Sequence, residues 1–328
     1  MLNCLRVSIV LAATLSIAVP SSHAAAATLA KRSETALMSY DLGNKLVPNW
    51  TGGGLLSVEA DNSAAPQLHV FDDQGRLRSS VSLRMPGASL ITVTGFAHGV
   101  DGKITACGDA FDPEGRGVPY LAIFSADGSS LRVIRTSPYH PRRVIVASDG
   151  DIWTLGTEAA ARQLGGPRPR SALRPDAGLI RRFNSEGKEI GSFILQSTVQ
   201  NATDVVRLEN YLSANATSVA WYCMAERRLV EIALDGTVTS DIRSDTSSVA
   251  EITGFAITDD GSAFISSVTE KDPKRWGFER FDRGRREWAT VGGGAGWGIL
   301  YGSHGNTLVG KTSGASTRNA LEFFTASN

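Results

Sequence analysis

Short apolar runs recur along the chain, each ending in a polar, glycine-bearing turn and answered by a second apolar run. LHVFDDQGRL (68–77), LAIFSADGSSL (121–131), IRRFNSEGKEI (180–190), LVEIALDGTV (229–238) and FERFDRGRREW (278–288) share this form. Apolar positions alternate, an Asp or Asn precedes the glycine, and apolar residues resume, which is the pattern of a strand, a tight turn and a strand. The turn glycines Gly75, Gly128, Gly187, Gly236 and Gly284 stand 53, 59, 49 and 48 residues apart. A second set falls between them: FAHGVDGKITACG (96–108), VIVASDGDIWTLG (144–156), FAITDDGSAFISS (255–267) and ILYGSHGNTLVGK (299–311), with Gly102, Gly150, Gly261 and Gly305 at the turn.

Two hairpins per period make a four-stranded antiparallel unit of about fifty residues, the size of a β-propeller blade. No stretch sustains a period of 3.6, and 34 glycines suit hairpin turns and disfavour helices, so an all-β chain is predicted.

The N-terminus departs from this pattern. Arg6, an apolar run from Val7 to Val19, Pro20 and the small-residue exit Ser22-His23-Ala24 have the layout of a secretory signal. Cleavage after Ala24 leaves 304 residues in a secreted or periplasmic protein, enough for six units of about fifty-one residues. The predicted organisation is a signal peptide at 1–24, an N-terminal segment at 25–44 and a six-bladed β-propeller at 45–328. Blade one opens near Lys45 to Trp50 and blade six near Gly298, whose third strand, ALEFFT, brings the chain almost to its end. ETALMSYD (34–41) is expected to supply the missing outer strand and close the ring, removing exposed edges.

VASDGDIWTLG (146–156), with its D-G-x-I-W core, and ITDDGSAFIS (257–266) resemble the repeats of six-bladed propellers of the NHL and streptogramin-lyase type. The matching residues are a turn glycine and an aromatic that packs between blades, so the resemblance implies a fold. That group contains lyases, lactonase-like metal enzymes and interaction modules. The acidic and Asn ligand set of its metal-dependent members has no residue-by-residue counterpart here, and neither a metal site nor another cofactor is expected.

Charge narrows the partners. Lys and Arg number 33, as do Asp and Glu, which gives no support to nucleic acid or a membrane surface as the partner, and a monomer is expected. GNTLVGKT (305–312) matches the phosphate-binding loop G-x-x-x-x-G-K-T letter for letter, but loop composition follows it where a helix is needed. Gly305 lies in register with the other hairpin glycines, so a blade turn is predicted there. SDGDIW is likewise read as a turn, because Asp149 and Asp151 lack the further oxygen ligands of a calcium loop.

Of the five histidines no pair has metal-ligand spacing, and His140 lies in SPYHPRR, read as a loop between blades two and three. Cys107 and Cys223 fall on second strands of blades two and four, too far apart to join, and two buried free thiols are expected.

Loops that enter the first strand of each blade ring one mouth of the channel, where Arg84, Tyr139, His140, Arg142, Asp204, Glu251 and Trp297 are the candidate binding residues. Mixed charge and aromatics suit a small polar ligand or a peptide segment. The long insertion 157–178 carries Arg162, Arg168, Arg170 and Arg174 against Glu158 and Asp176, a basic loop that suits an anionic ligand or a protein partner. The leading expectation is a non-catalytic binding module. The alternative is a propeller enzyme of lyase or lactonase-like type with a divalent metal in the channel.

Overall fold

The structure is a computed structural model that describes residues 28–37, 49–59, 62–158, 176–199, 210–244, 249–269, 276–291, 298–312 and 320–327. β1 (Thr28–Ala36) precedes a first group of β2 (Asn49–Thr51), β3 (Gly54–Glu59), β4 (Asn62–Ser63), β5 (Gln67–Phe71) and β6 (Leu77–Ser82). The second group is β7 (Leu90–His98), β8 (Ile104–Phe111), β9 (Gly117–Phe124) and β10 (Leu131–Arg135), and the third is β11 (Tyr139–Val146), β12 (Ile152–Glu158), β13 (Gly178–Phe183) and β14 (Glu189–Leu195). Then come β15 (Asn210–Ala214), β16 (Ser218–Cys223), β17 (Arg228–Ala233) and β18 (Val238–Arg243), followed by β19 (Val249–Ile257), β20 (Ala263–Thr269), β21 (Trp276–Asp282) and β22 (Glu287–Thr290). β23 (Gly298–His304), β24 (Thr307–Thr312) and β25 (Ala320–Ser327) end the chain.

The all-β expectation holds, with several four-stranded antiparallel sheets of propeller-like form: β11 to β14, β15 to β18 and β19 to β22. β7 to β10 make a fourth, to which the two-residue β4 adds an edge through Asn62 and Ser63. The remaining strands form one sheet in the order β1-β25-β24-β23-β2-β3-β5-β6, joined at its middle by a parallel bridge from Trp50 to Gly302. Among the described residues no helix is long and apolar enough to cross a membrane, and Gln196–Thr198 form a 3₁₀ turn.

The core lies between consecutive sheets. Strand side chains alternate faces, so a strand covered on both sides reads as a continuous apolar run. Leu55 and Leu56 are adjacent and both fully buried, yet Leu55 packs with Tyr301, Val309 and Leu321 while Leu56 packs with Ile91, Ile104 and Tyr120. Trp221 likewise faces Trp153 and Leu179 of the third group, and its neighbour Tyr222 faces Phe255 and Ile265 of the fifth. Ala97, Cys107 and Leu121 meet Val144 and Phe183, and Phe264 and Phe278 meet Leu308 and Phe324.

Glycines let the first strands of neighbouring groups approach one another. A Cβ on Gly95 would stand 2.9 Å from the Arg143 Cα, one on Gly254 2.2 Å from the Leu300 carbonyl oxygen, and one on Gly302 2.4 Å from that of Trp50. Each belongs to the first strand of one group and contacts the first strand of the next.

The strand beside β25 is β1, Thr28–Ala36, and it begins six residues before the expected ETALMSYD; residues 38–41 lie outside the described residues. An edge strand needs backbone pairing and only one covered face, so TLAKRSETA serves in spite of its polarity. Lys31 holds it through Glu322, at 2.9 Å, and Leu37 buries its side chain just past the strand end. GNTLVGKT forms the predicted hairpin: Gly305 has φ +58°, and Thr307–Thr312 run as β24. Asp149 and Asp151 sit at a turn, where Asp149 accepts the Asp151 N–H and both carboxylates pair with Arg182.

Candidate functional site

The residues expected at one mouth are distributed in three ways. Asp204 and Trp297 lie outside the described residues. Arg84 follows β6 and Glu251 lies on β19, both exposed. Tyr139, His140 and Arg142 belong to β11, where strand pairing places Tyr139 opposite Glu158 and His140 opposite Thr157.

Two of the expectations for β11 need correction. His140 is a buried strand residue with 3% of its surface exposed, and SPYHPRR is a loop only as far as Pro138. Pro141 misleads in the sequence because proline disfavours strand interiors, but here it borders a β-bulge between Pro141 and Arg143, where a missing N–H is tolerated. Tyr139 is fully buried and belongs to the core: its hydroxyl donates to the Leu179 carbonyl at 3.0 Å and meets the Thr154 hydroxyl, while the Arg181 guanidinium lies 4.1 Å from its ring centre.

His140 and Arg142 converge on Asp109, a residue of β8 that sequence reasoning did not single out. His140 Nδ1 lies 2.9 Å from Asp109 Oδ1, and Arg142 Nη1 donates to Asp109 Oδ2 at 2.9 Å. Asp109 has no exposed surface. Burial alone would raise its carboxyl pKa, but the His140 hydrogen bond and the Arg142 charge more than offset this and hold it well below the usual carboxylate range. An ionised Asp109 can only accept, so His140 donates this hydrogen bond through Nδ1, and Nε2 is the ring nitrogen left over. That Nε2 is buried without a hydrogen-bond partner among the described residues, as is the Nε of Arg142.

A repeated irregularity shows what is special about β11. β7, β11, β19 and β23 each carry a bulge in the middle of their pairing with the next strand, at Thr94, Arg142, Thr253 and Tyr301. The residue after the bulge is Gly95, Arg143, Gly254 and Gly302 in turn. Thr94 uses its hydroxyl to reach the Pro141 carbonyl of the next group, at 3.3 Å, and Thr253 reaches that of Gly298 in the same way, at 3.3 Å. β11 alone of these four strands has two arginines there. Arg143 donates to the Thr94 carbonyl at 2.9 Å, and burial lowers its pKa from the ordinary arginine value.

Cys107, below Asp109 on β8, is free and buried, and burial pushes its thiol up to about 12; Cys223 is also free and buried, its thiol raised to about 11. Of the basic insertion, residues 159–175 lie outside the described residues, while Glu158 is bound to Arg181 of β13. No group of three or more His, Cys, Asp or Glu side chains able to hold a metal gathers among the described residues.

No family model and no curated protein matches the chain. Among solved structures it is similar to streptogramin B lyase, at 11% identity and a TM-score of 0.42 over 92% of this chain and 98% of that one. It is similar to a chain of a nidogen/laminin complex, at 11% identity and a TM-score of 0.43 over 79% of this chain and 85% of that one. A protein of unknown function from Bacteroides caccae is similar at 12% identity and a TM-score of 0.43, over 74% of this chain and 78% of that one. These likenesses say nothing of what this chain binds.

Proposed function

We propose that this chain is an exported β-propeller of six four-stranded blades, closed into a ring by β1, that acts as a non-catalytic binding module. Residues 1–24 are the export signal, 25–44 carry the closing strand and 45–328 form the ring. Closure is supported by the contacts that join the last group to the first: the pairing of β1 with β25, the bridge from Trp50 to Gly302, and the packing of Leu55 and Phe71 on Tyr301 and Leu321.

The ligand in this reading is small and polar and carries a carboxylate or phosphate group, taken up at the end of the inner strands where His140 and Arg142 lie. The observation that carries it is the Arg142-Arg143 pair at positions that β7 and β19 fill with Thr-Gly. A repeat departs from its own packing rule where function demands a different residue. Arginine presents planar, fork-like donors suited to such anions, and Arg142 is only 12% exposed, which shields the interaction from water.

Isothermal titration of the mature protein with citrate and with inorganic phosphate tests the reading. Saturable binding by one of them, weakened at least tenfold in Arg142→Ser, is expected; no binding of either, or equal affinity in the variant, would overturn it. Capture of a protein partner through the basic insertion is a separate arm, in which replacing Arg168, Arg170 and Arg174 with Ser should reduce recovery in a pull-down. One equivalent of tightly bound divalent metal in the purified protein would replace the binding module by the lyase or lactonase-like enzyme.

A further inference from the structure

At the opposite end of the inner strands a cavity of about 180 Å³ opens, lined from β2, β11, β15, β19, β23, the turns that follow them and Val100 in the turn after β7. That is roughly ten times the space that one water requires. Its wall includes Trp50, Ile145, Leu212 and Phe255, and neither His140 nor Arg142 reaches it.

Most of the polar side chains in the lining are already committed to holding neighbouring sheets together. Asn49 donates to the Phe96 carbonyl at 2.9 Å, Asn215 to that of Thr258 at 2.9 Å and Ser303 to that of Ile257 at 2.6 Å, while Ser213 accepts the Ile257 N–H at 3.1 Å. The wall is therefore apolar in effect.

Asp259 differs from these. It lines the cavity, and its Oδ1 accepts the Ala216 N–H at 2.8 Å. Among the described residues it enters no ion pair, and no Lys or Arg lines the cavity. The exposed Asp259 carboxylate stands at the rim of an apolar recess whose lining holds one imidazole, His304, and no Lys or Arg, so it selects a positive charge on an apolar body.

We infer that this cavity binds a small primary ammonium compound, its apolar body against Trp50, Leu212 and Phe255 and its charge on Asp259. This site is independent of the one at Arg142. Among the described residues Asp259 and His304 are the only carboxylate and imidazole in the lining, too few to hold a metal ion, so the site favours an organic cation.

Titration with phenethylamine, 2-phenylethanol and phenylacetate, which share one ring and differ in charge, tests the assignment. Phenethylamine should bind saturably, the alcohol at least tenfold more weakly, and phenylacetate more weakly still. Asp259→Asn keeps the oxygen that accepts the Ala216 N–H, so its melting temperature should match wild type while its affinity for the amine drops to that for the alcohol. Ala214→Leu, which adds volume to the wall, should remove binding of both. Absence of saturable amine binding, equal binding of amine and alcohol, or an unchanged amine affinity in Asp259→Asn overturns the proposal.

Discussion

Asp109 is a charged residue inside ITACGDAF, a strand of otherwise apolar and small residues, and the His140 hydrogen bond and the Arg142 guanidinium, both brought from β11, make its burial tolerable. Removing one partner of such a pair leaves an uncompensated buried charge, so Asp109→Ala should lose about 3–5 kcal/mol of stability, read from denaturant midpoints. The pH dependence has a defined sign. The folded-state pKa lies below the unfolded value of about 3.9, so the stabilisation is full above that value and is lost as pH falls through the folded one. Wild type should therefore lose more stability than Asp109→Ala between pH 6 and pH 3; parallel losses would count against this role. Cys107 and Cys223, with raised and buried thiols, should resist a thiol reagent in the native mature protein and yield two equivalents on denaturation without reductant. At this scale the sequence pointed to His140 and Arg142 through their place between two repeats and missed Asp109. The partner lies 31 positions upstream of His140, on a strand of a different sheet, and the visible signal was a lone carboxylate in an apolar run.

Among the elements, the hairpins were the most legible, because both their signals are local: alternation along the strand and a glycine at the turn. Gly75, Gly102, Gly128, Gly150, Gly187, Gly236, Gly261 and Gly305 all take positive φ, where a side chain would be strained. Gly254 was legible only in part. It is not a turn residue, and its role is to let β23 pass within contact of its own backbone, which nothing adjacent in sequence announces. Gly254→Ala should overpack this contact and lose about 1–3 kcal/mol, while Gly277→Ala, where a Cβ meets nothing within 4 Å, should be far milder. Deleting residues 25–36 removes β1 and leaves β25 as an exposed edge, and the melting temperature should fall. An unchanged value would refute the latch. β1 begins six residues before ETALMSYD because an edge strand that buries little needs no apolar alternation to mark it in the sequence.

For the whole molecule, apolar packing links each group of strands to the next in chain order and the last to the first. If the ring closes as proposed, in a monomer cut after Ala24, the chain should scatter as a compact particle with a radius of gyration of about 19 Å. A clearly larger value at the monomer mass would mean that the last group does not hold the first in solution. By itself the sequence determined what depends on near neighbours: strands, turns, their period of about fifty residues, and an all-β chain. Tertiary structure alone decided what depends on residues far apart in the chain meeting in space. Such contacts place β1 beside β25, join His140 and Arg142 at Asp109, and leave Asp259 beside an apolar recess. Sheet packing sets which strands face each other, and one sequence period fits many such facings.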